Sequence, residues 1–284
     1  MAAPSTYSDL LNKATGGSSG TPEKIWVWKG PRDGSGTIFA PSAGAPTSYW
    51  MLGGSPGHGV APGGTARNPT NATDGSLKQT NPSGGRKKWL VAMQASHEIS
   101  ATGAMVVLYD RLADISGFNA TSSALQTITG LSVNRYTGTD AIGNQIWVEI
   151  YVSVGATPQT LTVTYTNENG VQHTTSVSLG GNAQLRQTMT IRPVALVSGD
   201  RGVRSVDSIQ LSGSTSTAGN YGITIVRPLA YVGFGATIGV GTSDLVSGPL
   251  GLVEIATNAC LMLAGSISAS ASCPLNIGFQ FVES

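Results

Sequence analysis

Gln145-Ile-Trp-Val-Glu-Ile-Tyr-Val-Ser-Val154, followed by Leu161-Thr-Val-Thr-Tyr-Thr166 and Val171-Gln-His-Thr-Thr-Ser-Val-Ser-Leu179, is the stretch that decides the fold. Ile146, Val148, Ile150 and Val152 share one face of an extended chain, and Trp147, Glu149, Tyr151 and Ser153 share the other. Leu161, Val163 and Tyr165 alternate with threonines in the same way. This period of two is the signature of half-buried antiparallel strands. Asn169-Gly170 signals a hairpin between the last two runs, and the apolar pattern selects its length. A two-residue loop would set Val163 opposite Ser176 and Leu161 opposite Ser178, apolar face against polar face. The three-residue loop Glu168-Asn169-Gly170 instead sets Leu161 opposite Val177 and Tyr165 opposite His173. A one-residue slip would turn a whole set of side chains over, so the three-residue loop is predicted, with Gly170 left-handed.

Further strands are predicted at 88–95, 103–111, 131–136, 187–197, 203–212, 221–226, 250–256, 259–264 and 276–283, with turn residues at short, regular spacing. Pro193 suggests an edge or a bulge, and Pro228 stops the strand that begins at Tyr221. A polar connection runs from Asp114 to Thr129, and a glycine-rich loop from Gly233 to Gly248. The expected fold is all-β, an antiparallel β-sandwich of jelly-roll type spanning residues 86–284.

Residues 1–85 differ, being rich in Gly, Pro, Ser and Thr, with a short helical turn or two at Ser8–Lys13. Such a segment cannot bury enough apolar area to fold alone. Yet it carries Trp26, Trp28, Phe39, Tyr49, Trp50, Met51 and Leu52, each gaining about 1.5–3 kcal/mol on burial. Two readings follow. In one the segment is an extended N-terminal arm that docks on a neighbouring subunit through Trp26, Trp28, Tyr49 and Trp50. In the other, Ile25–Trp28 and Ser48–Met51 are edge strands of the chain's own sheet.

Among 284 residues only 11% are charged, 38 are glycine, and the formal net charge is +1. Nucleic acid is therefore not an expected partner. Ser, Thr, Gly and Ala cover the surface instead, as is common in extracellular and virion β-proteins. The basic cluster Arg86-Lys87-Lys88 is read as a solvated boundary. No apolar run is long enough for a membrane span, and no secretory signal is visible, so synthesis in a cytoplasm is expected. Cys260 and Cys273 are expected to be a reduced, packed pair.

His58, His97 and His173 lack companion ligands at metal spacing, and no nucleophile, phosphate-loop or metalloprotease motif occurs, so no catalytic, metal or cofactor residue is expected. The enzyme reading that needs least is a glycosidase, with Asp110, Asp114, Asp140 and Glu149 as candidate carboxylates. Glu149 lies between Trp147 and Tyr151, which could form a stacking platform for a sugar. More simply, Arg111 beside Asp110, and Arg201, Arg204 and Asp207 around one turn, are ion pairs fixing loops or subunit contacts. Asn71-Ala72-Thr73 and Asn119-Ala120-Thr121 match the glycosylation sequon, which requires secretion to matter.

Three stretches carry a resemblance: Val106–Leu112; Trp147–Tyr151 running on through Gly155-Ala156-Thr157 to Thr164–Asn167; and Gly199–Val206 through Gly219-Asn220-Tyr221-Gly222 to Arg227-Pro228-Leu229. They resemble tailed-bacteriophage virion structural proteins, some of them capsid decoration or cement proteins. The likeness covers about residues 86–284 and carries over no functional residue. It implies a non-enzymatic protein on the capsid exterior, in contact with the major capsid protein and itself a dimer or trimer. The alternative within the virion is a tail, baseplate or fibre component binding a host surface glycan.

Overall fold

In a computed structural model of the chain, residues 4, 6–16, 22–34, 36, 43–97, 103–182, 186–235, 240–244, 251–267 and 274–284 are described. The fold is an all-β antiparallel sandwich, built from three sheets rather than the two of a simple jelly roll. A central sheet runs in the order β10 (Ile191–Val194), β7 (Gln145–Val152), β12 (Asn220–Phe234), β5 (Ala104–Phe118), β15 (Leu261–Ile267), β2 (Thr47–Ser48). The first outer sheet runs β13 (Val240–Asp244), β4 (Lys88–His97), β16 (Leu275–Glu283), β1 (Glu23–Asp33), β3 (Leu52–Ser55), with β14 (Val253–Ile255) also on β4. The second runs β6 (Gln126–Thr127), β11 (Val203–Leu211), β8 (Gln159–Asn167), β9 (Gln172–Leu179).

The arrangement follows from the length of β5 and β12, 15 residues each and paired from Tyr221–Phe118 to Phe234–Ala104. Strands this long pass beneath both outer sheets. Val106, Leu108, Ala230 and Val232 pack with Val27, Leu90, Met93, Phe279 and Phe281 of the first. Leu112, Ile115, Ile223 and Ile225 pack with Leu161, Val163, Tyr165, Val206, Ile209 and Leu211 of the second. Both cores lie on the inner face of the central sheet. Its rear face carries a third cluster of Trp147, Tyr151, Val226, Cys260 and Met262, closed by Trp50 from the connection that follows β2.

The hairpin of β8 and β9 has the expected register, Leu161 opposite Val177 and Tyr165 opposite His173, with Gly170 at φ +81°. The Asn167 side-chain oxygen accepts the N–H groups of Asn169 and Val171, each at 2.9 Å, and fixes the loop. Elsewhere tertiary pairing overrides local signals. β12 continues through Pro228, where a register shift removes the need for its missing N–H. Residues 131–136 contribute one bridge, Ser132 to Ser205, rather than a strand, and β13 forms inside the glycine-rich loop. The helix α1 (Tyr7–Ala14) is capped by Thr6 and sets Leu10 against Val91 and Val282.

The arm is corrected by the same sheets. β1 pairs with β16 from Glu23–Phe281 to Lys29–Leu275 and with β3 on its other side. Tyr49 and Trp50 are 2% and 1% exposed, so they are interior residues of this chain and not partner contacts. The physical reason is that most of their burial partners lie beyond residue 85, in the sheets those later residues build. Trp26 and Trp28 remain on the outside, 69% and 43% exposed. Lys88 is also corrected, being 1% exposed rather than solvated. Cys260 is buried with a free thiol, and Cys273 lies outside the described residues.

Candidate functional site

Two of the carboxylates singled out in the sequence, Asp114 and Glu149, meet at Arg111 on the rear face of the central sheet. Arg111 is opposite Val226 and Ala113 opposite Ile225, so Leu112 is an extra residue in β5. That bulge puts Arg111 and Asp114 on one face, where strict alternation would separate residues three apart. Arg111 then donates from Nε to Asp114 Oδ2 at 2.6 Å, from Nη1 to Glu149 Oε2 at 2.8 Å, and from Nη2 to Tyr151 Oη at 2.7 Å and Thr224 Oγ1 at 3.2 Å. Trp50 lies over the guanidinium at 4.5 Å, a desolvated cation–π contact. Asp114 also receives Arg67, and Asp110 receives Arg135 at 2.7 and 3.0 Å.

The electrostatics follow from the sealing. Asp110, Arg111 and Asp114 are 0% exposed and Glu149 is 1%. Burial pushes the Asp110 carboxyl up, partly offset by Arg135. Burial also works against the charge of Arg111, but Glu149, Tyr151 and Asp114 outweigh it and hold the guanidinium firmly protonated. Such a network orients β5, β7 and β12 relative to one another, and it has no opening for a sugar. The sequence reading is corrected on both glycan points. Glu149 is committed to Arg111, Tyr151 and Thr224, and Trp147 and Tyr151, at 2% and 3% exposure, offer no stacking face. Asp140 is exposed on a separate 3-10 turn, Gly138–Ala141.

The other expected pairings change partners. Arg111 pairs with Asp114 and Glu149 instead of its neighbour Asp110. Arg201 approaches Glu168, Arg204 donates to the Glu168 carbonyl, and Asp207 accepts Thr166 and Gln172. Asp200 gathers Tyr165 at 2.5 Å, His173 at 2.6 Å and Asn167 at 2.7 Å. Burial opposes its charge, but these three bonds prevail and hold its carboxyl below the usual range. Among the described residues no group of three metal donors comes together.

The exposed feature is aromatic. Trp26 and Trp28 project from the outer face of the first outer sheet, since Ile25 and Val27 of β1 point into its core. Trp26 lies across Gly278 of β16, where a Cβ would come within 2.9 Å of its ring, and Trp28 folds over Gly30, where the distance would be 2.7 Å. Two glycines thus leave room for two indoles against the backbone, and both indoles stay exposed. A separate apolar cavity of about 140 Å³ lies on the rear face between Met105, Tyr109, Trp147, Ile191 and Pro193.

No family model matches this chain. No curated protein matches it either. Among solved structures, the infectious bursal disease virus VP2 subviral particle aligns over 94% of this chain and 81% of its own, at 11% identity and a TM-score of 0.20. The infectious bursal disease virus Gx strain structure aligns over the same shares at 8% identity and a TM-score of 0.22. Likeness at that level carries no argument about function.

Proposed function

We propose that the protein is a non-enzymatic virion structural component that binds the outer surface of a phage capsid and bridges neighbouring major capsid subunits. The observation that carries this reading is the pair Trp26 and Trp28, set against Gly278 and Gly30 and left open to solvent on the outer face of a sheet. Aromatic residues already fixed in place lose little conformational entropy on binding, and such residues anchor protein interfaces. A surface with few charges supports close lattice contact, and a body locked by buried ion pairs suits a mechanical role. In this reading the chain works as a dimer or trimer, touches neither nucleic acid nor membrane, and uses no cofactor.

The test is re-addition of purified protein to capsids stripped of it, wild type against the double variant Trp26→Ser and Trp28→Ser. Loss of saturable binding by the variant is the expected result. Equal occupancy by both proteins removes the aromatic pair as the contact, and a copy number typical of a tail part removes the head position.

A further inference from the structure

We propose that Lys88 and Gln79 form an intramolecular isopeptide bond, with Glu23 as the catalytic acid and base. Lys88 starts β4 and faces inward, its Nζ 5.8 Å from the centre of the Phe281 ring on β16. It reaches across that ring to Glu23 at the start of β1, the strand on the far side of β16. Nζ lies 2.5 Å from Glu23 Oε2 and 3.2 Å from Gln79 Oε1, and it also donates to the Thr80 carbonyl and to Thr80 Oγ1. Lys88 is 1% exposed and Gln79 3%.

The Gln79 amide lies within reach of the lysine. Its backbone oxygen takes the Asn71 side chain at 3.0 Å, and its side-chain oxygen faces the lysine. The amide nitrogen Nε2 is buried without a hydrogen-bond partner. A buried donor with nothing to donate to is a standing destabilisation. Here that nitrogen is the group the chemistry would expel. Glu23 is fixed too, since its Oε1 accepts the Thr80 N–H at 3.0 Å and leaves Oε2 for the lysine.

The step balances with no further reactant. Glu23 Oε2 takes a proton from the Lys88 ammonium, and the freed Nζ pair attacks the Gln79 Cδ, forming the C–N bond as the carbonyl pair moves onto Oε1. A proton passes from Nζ to Nε2, the intermediate collapses and the C–Nε2 bond breaks, and ammonia leaves with the proton from Glu23 as ammonium. An ammonium and a primary amide become a secondary amide and ammonium ion. The bond would tie the connection between β3 and β4 to β4 of the first outer sheet.

Intact mass spectrometry of the full chain, unfolded in acid, decides the matter without any variant. The expected mass is one ammonia below that of the sequence, with trypsin releasing a branched peptide that joins residues 79–86 to 88–111. Glu23→Gln and Gln79→Met are each expected to restore the unbranched mass. A wild-type chain of full mass lacking the branched peptide overturns the proposal, and so does an ammonia loss that persists in Gln79→Met.

Discussion

Lys29 is 2% exposed and donates to the carbonyls of Leu52, Pro56 and Gly57 at 3.3, 3.0 and 3.3 Å. Carbonyl dipoles do not repay the loss of water around an ammonium, so burial lowers its pKa from 10.5 to about 8. Between those two values the unfolded chain binds the proton and the folded chain does not, so stability rises with pH across this window. The penalty is present in full below pH 8. Relative to Lys29→Met, the wild type should gain about 3 kcal/mol of unfolding free energy from pH 8 to 10.5, read from urea melts at each pH. A flat difference would show that the lysine keeps its proton throughout. Arg111 gives the opposite case, a cation fully compensated. Arg111→Met strands Glu149 in the interior, leaves Asp114 with Arg67 alone, and should cost about 3–5 kcal/mol, measured as a shift of the urea midpoint at constant slope.

At the scale of the element, the β8–β9 hairpin shows how closely a turn and two faces can specify one register. Gly170 sits at φ +81° with room for a methyl group, its nearest neighbour being Arg204 Nη1 at 3.4 Å from a built Cβ. Gly170→Ala should therefore cost about 1–2 kcal/mol through backbone conformation alone, with the strand pairing kept, which amide exchange along β8 and β9 would report. The bulge at Leu112 is the contrasting element. Alternation along 104–111 is plain in the sequence, but nothing local says that it changes phase after Arg111. The extra residue is tolerated because Leu112 itself is buried in the inner core while Arg111 and Asp114 are joined on the rear face.

For the whole molecule, removing residues 1–52 deletes β1 and β2 together with Trp50, uncovering the edge of β16 and the guanidinium of Arg111. That truncation should yield aggregated or molten protein, seen as loss of near-ultraviolet dichroism and of a monodisperse elution peak. Trp26→Ser with Trp28→Ser removes surface groups outside the core and should leave stability within about 1 kcal/mol of wild type while abolishing capsid binding. The two experiments separate a segment needed for folding from a surface used for contact.

Most strand positions, the hairpin register and the all-β class were legible from residues 86–284, because side-chain alternation is a local property of an extended chain. Trp26 and Trp28 stay exposed, yet Tyr49 and Trp50 carry the same local signal and are buried. An aromatic residue in a polar segment announces that it needs a partner without saying whether the partner is its own chain. The identity of that partner depends on pairings such as Glu23–Phe281, across most of the chain. Lys88 was readable in principle, since it shares a face with Leu90 two residues on. Its approach to Glu23 and Gln79 was not, because the three are brought together by sheet order alone. Sequence by itself determined which residues alternate and where the chain turns, both set by backbone geometry over a few residues. Only the tertiary structure decided which charges meet and which aromatic groups stay outside, because those outcomes belong to contacts between segments far apart in the chain.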